Sequence, residues 1–101
     1  MATKTDKKSK LLGYSTKDLY NHIFSFSNFD FEKNFHIDHI FPIQAFVDYN
    51  IDDLSVINHL SNLRPLSKQD NLSKADKYDK NEFANWLSQF GILIEEQNQF
   101  I

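Results

Sequence analysis

The segment His36-Ile37-Asp38-His39 contains the residues of this sequence that are best suited to chemistry. A carboxylate oxygen can hold a divalent cation, and an imidazole outside the metal's coordination shell can act as a base near neutral pH. Apolar and polar residues alternate here, which predicts a strand that Pro42 stops. On such a strand His36 and Asp38 share one face and His39 lies on the other, so Asp38 and His39 need not share a role.

Two asparagines downstream could complete a site around Asp38. Asn62 begins a second short strand, Asn62 to Leu66, which we expect Pro65 and Ser67 to end. Asn71 follows the capping box Ser67-Lys68-Gln69-Asp70 and so lies on the helix that this box begins. From that helix it is placed to supply a second hard oxygen ligand. Taken singly, these residues also have ordinary structural explanations, because short motifs match by chance and Asn is common in the first turns of helices.

Other segments must supply the elements that position these residues. The capping box Ser15-Thr16-Lys17-Asp18 predicts a helix from about Thr16 to Phe24. Residues 43–61 read as a long irregular loop with at most one short helical turn. A last helix is predicted over about 80–90, ended by Gly91. Its apolar stripe is best interpreted as core rather than as base-stacking groups and consists of Phe83, Trp86, Leu87 and Phe90.

The composition restricts the fold and the metal chemistry. A chain of 101 residues with 41% hydrophobic residues forms one small domain. The absence of Cys excludes a disulfide framework and a thiolate zinc site, so no structural zinc is expected. Any metal must be held by His, Asp, Glu or Asn, which favours a hard cation such as Mg²⁺ or Mn²⁺, with another transition metal as an alternative.

The charge is a mild argument against binding nucleic acid, since the net value is −3. Its distribution weakens that argument, because cationic residues gather in two groups: Lys4, Lys7, Lys8 and Lys10, and then Arg64, Lys68, Lys74, Lys77 and Lys80. Residues 1–10 are basic and polar, and we expect them to be disordered. No apolar run is long enough to span a membrane, so we expect a cytoplasmic protein.

Three blocks of the sequence together resemble the HNH, or ββα-metal, endonuclease family. They are His36-Ile37-Asp38-His39-Ile40-Phe41-Pro42, Asn62-Leu63-Arg64-Pro65-Leu66 and Asp70-Asn71-Leu72-Ser73-Lys74. The resemblance is greatest to the small phage- and intron-associated members without zinc-binding cysteines, and it covers about Leu11 to Lys77. One local departure is Phe35, where many relatives have Trp.

This resemblance implies an α+β fold in which residues 11–101 form the domain and residues 34–77 its ββα core. It implies that Asp38 and Asn71 ligate the metal, that His39 is the general base, and that the role of Asn62 is mainly architectural. The implied reaction is hydrolysis of DNA, by nicking or double-strand cleavage, to 5′-phosphate and 3′-hydroxyl ends.

The sequence leaves open the roles of several further residues and the alternatives to a nuclease. His36 could approach the metal, while Arg64, Lys68 and Lys74 could contact phosphates. The alternatives to a nuclease are an HNH-like scaffold that binds DNA or a partner without cutting, or a nuclease domain of a larger restriction or mobile-element protein. RNA as the substrate and a homodimer as the active form also remain open.

Overall fold

The computed structural model describes residues 12–94, so the predicted disorder of residues 1–10 lies outside the described residues. The described elements are α1 (Thr16–Phe24), β1 (Phe35–His39), α2 (Ile43–Asp48), α3 (Leu54–Ile57), a 3₁₀ turn (Leu60–Asn62), β2 (Leu63–Ser67), α4 (Lys68–Lys74) and α5 (Lys80–Ser88). The fold class is therefore α+β. Among residues 12–94, no helix is long and apolar enough to cross a bilayer.

Helix α1 begins and ends where the sequence predicts. Ser15 accepts a hydrogen bond from the Asp18 amide at 3.1 Å, and the Asp18 carboxylate accepts one from the Ser15 amide at 3.1 Å. These two bonds satisfy amide groups that the first helical turn otherwise leaves without partners. Ile23 is the buried residue of this helix, and His22 donates from Nε2 to the Leu63 carbonyl at 2.7 Å. Helix α1 is thereby attached to β2.

Strands β1 and β2 form an antiparallel pair in which Asp38 lies opposite Arg64 and His39 opposite Leu63. β1 ends at His39, earlier than the Pro42 stop that the sequence suggests. The next two amides turn instead toward one residue: Ile40 donates to the Asn62 carbonyl at 2.8 Å, and Phe41 donates to the Asn62 side chain at 2.7 Å. The chain leaves the sheet here because Phe41 enters the core.

Pro65 does not end β2, contrary to the prediction. β2 runs from Leu63 to Ser67, and Pro65 lies at its centre opposite Ile37. An antiparallel ladder accepts proline there because alternate residues direct their amides away from the partner strand. Ser67 then caps α4 by accepting from the Asp70 amide at 3.1 Å.

Residues 43–61 are mostly helical, so the prediction of an irregular loop is wrong. They contain α2, α3 and the 3₁₀ turn. Asp53 caps α3 by accepting from the Ser55 amide at 2.9 Å and the Ser55 hydroxyl at 2.7 Å, and these bonds lower the pKa of Asp53. Helices of six and four residues are too short to show a helical period in sequence.

The main core lies between α2, α3 and α5. Its buried residues are Phe41, Ala45, Phe46, Val56, Ile57, Phe83 and Leu87. Phe83 is fully buried and meets Phe46 edge to face at 5.0 Å, while Trp86 and Phe90 pack against the cluster. The interpretation of the α5 stripe as core is confirmed. Gly91, after α5, has the predicted left-handed conformation with φ of 74°.

Candidate functional site at the end of β1

One cavity of about 280 Å³ collects four of the residues singled out from the sequence. Asp38 and His39 enter it from the last two positions of β1, and Asn71 and Lys74 enter it from α4. Asn71 and Lys74 are three residues apart, so they lie on the same side of the helix. The antiparallel strands and the helix that directly follows them therefore bring a carboxylate, an imidazole, an amide and an ammonium group together.

Asp38 is the most unusual of these residues because its side chain is only 7% exposed. Oδ2 pairs with Arg64 Nε at 3.1 Å, across the strand pair, and Oδ1 pairs with Lys74 Nζ at 3.4 Å. A buried carboxylate is costly unless it is paired, and these two cations supply the pairing. Arg64 and Lys74 therefore both pair with Asp38 in this structure, and their contact with phosphate stays a prediction.

The Lys74 ammonium also donates to the backbone carbonyl of His39 at 2.6 Å. It thus lies between one carboxylate oxygen and one carbonyl oxygen at the end of β1. This arrangement of hard oxygen atoms around a positive charge is of the kind that also suits a divalent cation.

The donors around the cavity fit Mg²⁺ or Mn²⁺ better than a softer metal. In the described part of the chain, no three His, Cys, Asp or Glu side chains converge as a metal cluster. Asp38 and Asn71 instead offer one carboxylate and one amide, and magnesium is commonly bound through one or two protein groups while it keeps several waters.

His39 is half-buried, and its Nε2 atom lies 2.8 Å from the side-chain oxygen of Asn58. Asn58 is the residue that follows α3. Sequence reasoning did not select Asn58, because it lies 19 residues from His39 in a segment interpreted as a loop. No local signal in the sequence identifies this contact.

Asn62 does not reach the cavity but holds the chain around it. It is completely buried, and its side chain makes three hydrogen bonds: it accepts from the Phe41 amide at 2.7 Å and donates to the carbonyls of Phe41 at 3.1 Å and Ile57 at 2.9 Å. These bonds tie the turn after β1 to the end of α3. They are the contacts of an architectural residue.

Two other candidate residues lie apart from the cavity. His36 is exposed and is not among the residues that line the cavity, although it lies two residues before Asp38 on the same strand. Lys68 is exposed at the start of α4, and within residues 12–94 it forms no ion pair. His59, by contrast, packs against Trp86 and Phe90 and has a structural position.

Comparisons of this chain with protein families, with curated proteins and with solved structures gave no match.

Proposed function

We propose that this protein is a metal-dependent endonuclease of the HNH type that hydrolyses DNA phosphodiester bonds. The observation that supports it most is the convergence of Asp38, His39 and Asn71 on one cavity from a strand end and a helix. Residues far apart in the sequence supply a hard ligand pair and an adjacent base, which are the groups that metal-assisted phosphodiester hydrolysis requires.

In this proposal Asp38 and Asn71 would hold a divalent cation such as Mg²⁺, and His39 removes a proton from the attacking water. The bound cation would stabilise negative charge on the phosphate oxygens and on the departing 3′ oxygen. The water oxygen forms the new bond to phosphorus as the bond to the 3′ oxygen breaks, and the 3′ oxygen takes up a proton from solvent water, which leaves 5′-phosphate and 3′-hydroxyl ends. Arg64 and Lys74 contribute positive charge beside the scissile phosphate.

Plasmid cleavage tests this proposal. We expect the purified protein to convert supercoiled plasmid to nicked or linear forms with Mg²⁺ or Mn²⁺, and His39→Ala to abolish this while its circular dichroism is unchanged. His36→Ala is the matched control, because His36 is an exposed histidine on the same strand outside the cavity, and it should retain activity. Full cleavage by the folded His39→Ala variant would contradict the assignment of the base.

A second candidate function is a scaffold that binds DNA or a partner without cutting. The two ion pairs of Asp38 favour it, because a carboxylate already neutralised by Arg64 and Lys74 can be purely structural. Calorimetric titration with Mn²⁺ separates the two functions. A nuclease site should bind Mn²⁺ in a manner that Asp38→Asn and Asn71→Ala both weaken, whereas a structural Asp38 should leave no binding dependent on these residues. If the domain belongs to a larger restriction or mobile-element protein, other parts of that protein select the target.

A further inference from the structure

We propose that Asn58 is a positioning residue that fixes the ring tautomer of His39, with the proton on Nε2 and the lone pair on Nδ1. The contact itself is the 2.8 Å distance between His39 Nε2 and Asn58 Oδ1. In a neutral imidazole one nitrogen donates and the other accepts, so the identity of the atom facing Nε2 determines which nitrogen can act as a base.

The orientation of the Asn58 amide is determined by Leu54. Asn58 Nδ2 donates to the Leu54 carbonyl at 3.2 Å, and the Asn58 backbone amide donates to the same oxygen at 3.0 Å. A flipped amide would place Oδ1 against that carbonyl, where two acceptors would meet without a proton between them. The hydrogen-bond network therefore assigns the oxygen, and not the nitrogen, to the side of His39.

An acceptor at Asn58 requires a donor at His39. Nε2 must carry the proton, at a distance typical of a good N–H···O bond. Nδ1 is then the unprotonated nitrogen, and within residues 12–94 it has no hydrogen-bond partner. The ring thus presents one lone pair, from a fixed position, at the end of β1.

Three neighbouring segments hold Asn58 in place. The Tyr14 hydroxyl, just before α1, donates to the Asn58 carbonyl at 2.6 Å, and burial raises the pKa of Tyr14, which keeps this donor protonated. Asp53 caps the short helix that precedes Asn58. Asn62 binds the carbonyl of Ile57, the adjacent residue. The buried Asn62 can therefore influence His39 through Asn58 without touching the ring.

The tautomer follows from the contacts alone, whereas its importance for catalysis rests on the proposed nuclease function. If His39 is the base, loss of the Asn58 acceptor lets the ring rotate and exchange tautomers, so a smaller fraction of molecules presents Nδ1 correctly. Removal of such supporting partners of a site residue typically costs about 10–100-fold in activity. We expect that loss in kcat, with little change in KM.

Nitrogen-15 NMR of the full chain tests the tautomer directly. The wild type should show an Nε2–H tautomer with an observable, hydrogen-bonded Nε2 proton. Asn58→Ala should lose that proton signal through exchange with water and should show a mixture of tautomers. Asn58→Asp keeps an acceptor oxygen and should retain the wild-type tautomer.

Two results would overturn the proposal: an Nδ1–H tautomer in the wild type, or an unchanged Nε2–H signal in folded Asn58→Ala. If Asn58→Ala fails to fold, the tautomers of His39 in the wild type and in Asn58→Asp still test the proposal. A wild type that has the Nε2–H tautomer but cleaves no DNA would support the positioning role and contradict the nuclease proposal, so the two failures are distinguishable.

Discussion

Lys74 and Asp38 form an ion pair inside the cavity, with the ammonium nitrogen 3.4 Å from carboxylate Oδ1. The lysine side chain is 15% exposed and the aspartate 7% exposed, so water screens this pair less than a surface pair. A divalent cation bound by Asp38 would lie close to the Lys74 ammonium group and would be repelled by it. Lys74 is therefore a built-in competitor for the proposed metal ligand.

We expect Lys74→Met to bind Mn²⁺ more tightly than the wild type, because the substitution removes the competing charge and keeps the length of the side chain. The expected gain is about tenfold in affinity, which corresponds to about 1.4 kcal/mol. Isothermal titration calorimetry measures it. Lys68→Met, at an exposed position of the same helix, is the control and should leave the affinity unchanged. Equal or weaker binding by folded Lys74→Met would contradict the competition.

Asn62→Ala should destabilise the protein strongly. The substitution removes three buried hydrogen bonds and leaves the amide of Phe41 and the carbonyls of Phe41 and Ile57 without their partner. At about 1 kcal/mol for each lost bond, the free energy of unfolding should fall by about 3 kcal/mol. Urea denaturation measures the change. Asn85→Ala, at an exposed position of α5, should change stability by less than about 0.5 kcal/mol, and a similar loss in both variants would argue against a special role for Asn62.

Tyr78→Phe should lower the free energy of unfolding at neutral pH but not in strong acid. The Tyr78 hydroxyl donates to Asp48 at 2.7 Å, and this bond, with a second one from Gln44, lowers the pKa of Asp48. A carboxyl whose pKa is lowered by folding stabilises the fold above its unfolded pKa of about 3.9, and this contribution is lost as pH falls through the folded pKa. The urea midpoints of wild type and variant should therefore differ at neutral pH and converge in strong acid.

Tyr20→Phe is the control for this pH dependence, because Tyr20 is 54% exposed on α1. The urea midpoint of Tyr20→Phe should vary with pH as the wild-type midpoint does. The pKa of Tyr78 is raised, first by burial and then by Asp48, so the stabilisation from Tyr78 is lost again in strongly alkaline solution. A constant difference between wild type and Tyr78→Phe down to the acid limit would show that the bond to Asp48 is not the cause.

Lys68→Ala should reduce the salt dependence of DNA binding. Lys68 is exposed at the first position of α4, the helix that carries Asn71, and unlike Arg64 and Lys74 it is not paired with Asp38. A lysine that contacts one phosphate contributes about 0.9 to the slope of log K against log salt concentration. Gel-shift titrations in increasing salt should show a slope smaller by about that amount. Lys17→Ala, on α1, should leave the slope unchanged; an equal effect of both substitutions would indicate diffuse attraction instead.

The sequence predicts best those features that depend on neighbouring residues. Helix α1 is predicted from Thr16 to Phe24 and observed over the same residues, because its capping box is local. The core stripe of α5 is equally local, since residues three and four apart lie on one face of a helix. The α+β class, which the family resemblance implied, agrees with the helices and the antiparallel strand pair of the structure.

Features that depend on distant contacts were missed or misplaced. Asn58 gains its importance from His39, and the orientation of its amide depends on a carbonyl in a helix too short to predict. The pairing of Asp38 with Arg64 requires the register of β1 and β2, which the sequence does not specify. The ion pairs of Arg64 and Lys74 with Asp38 are likewise tertiary contacts, and the contact of these cations with phosphate stays a prediction.

Pro65 has a consequence for association between molecules. It lies at the centre of β2, and within residues 12–94 the sheet has two strands, so each has an outer edge on which another chain could pair. A strand arriving beside β2 would find no N–H at Pro65 and could not form a continuous ladder. The short sheet that carries Asp38 and His39 is thereby protected from edge-to-edge aggregation on its β2 side.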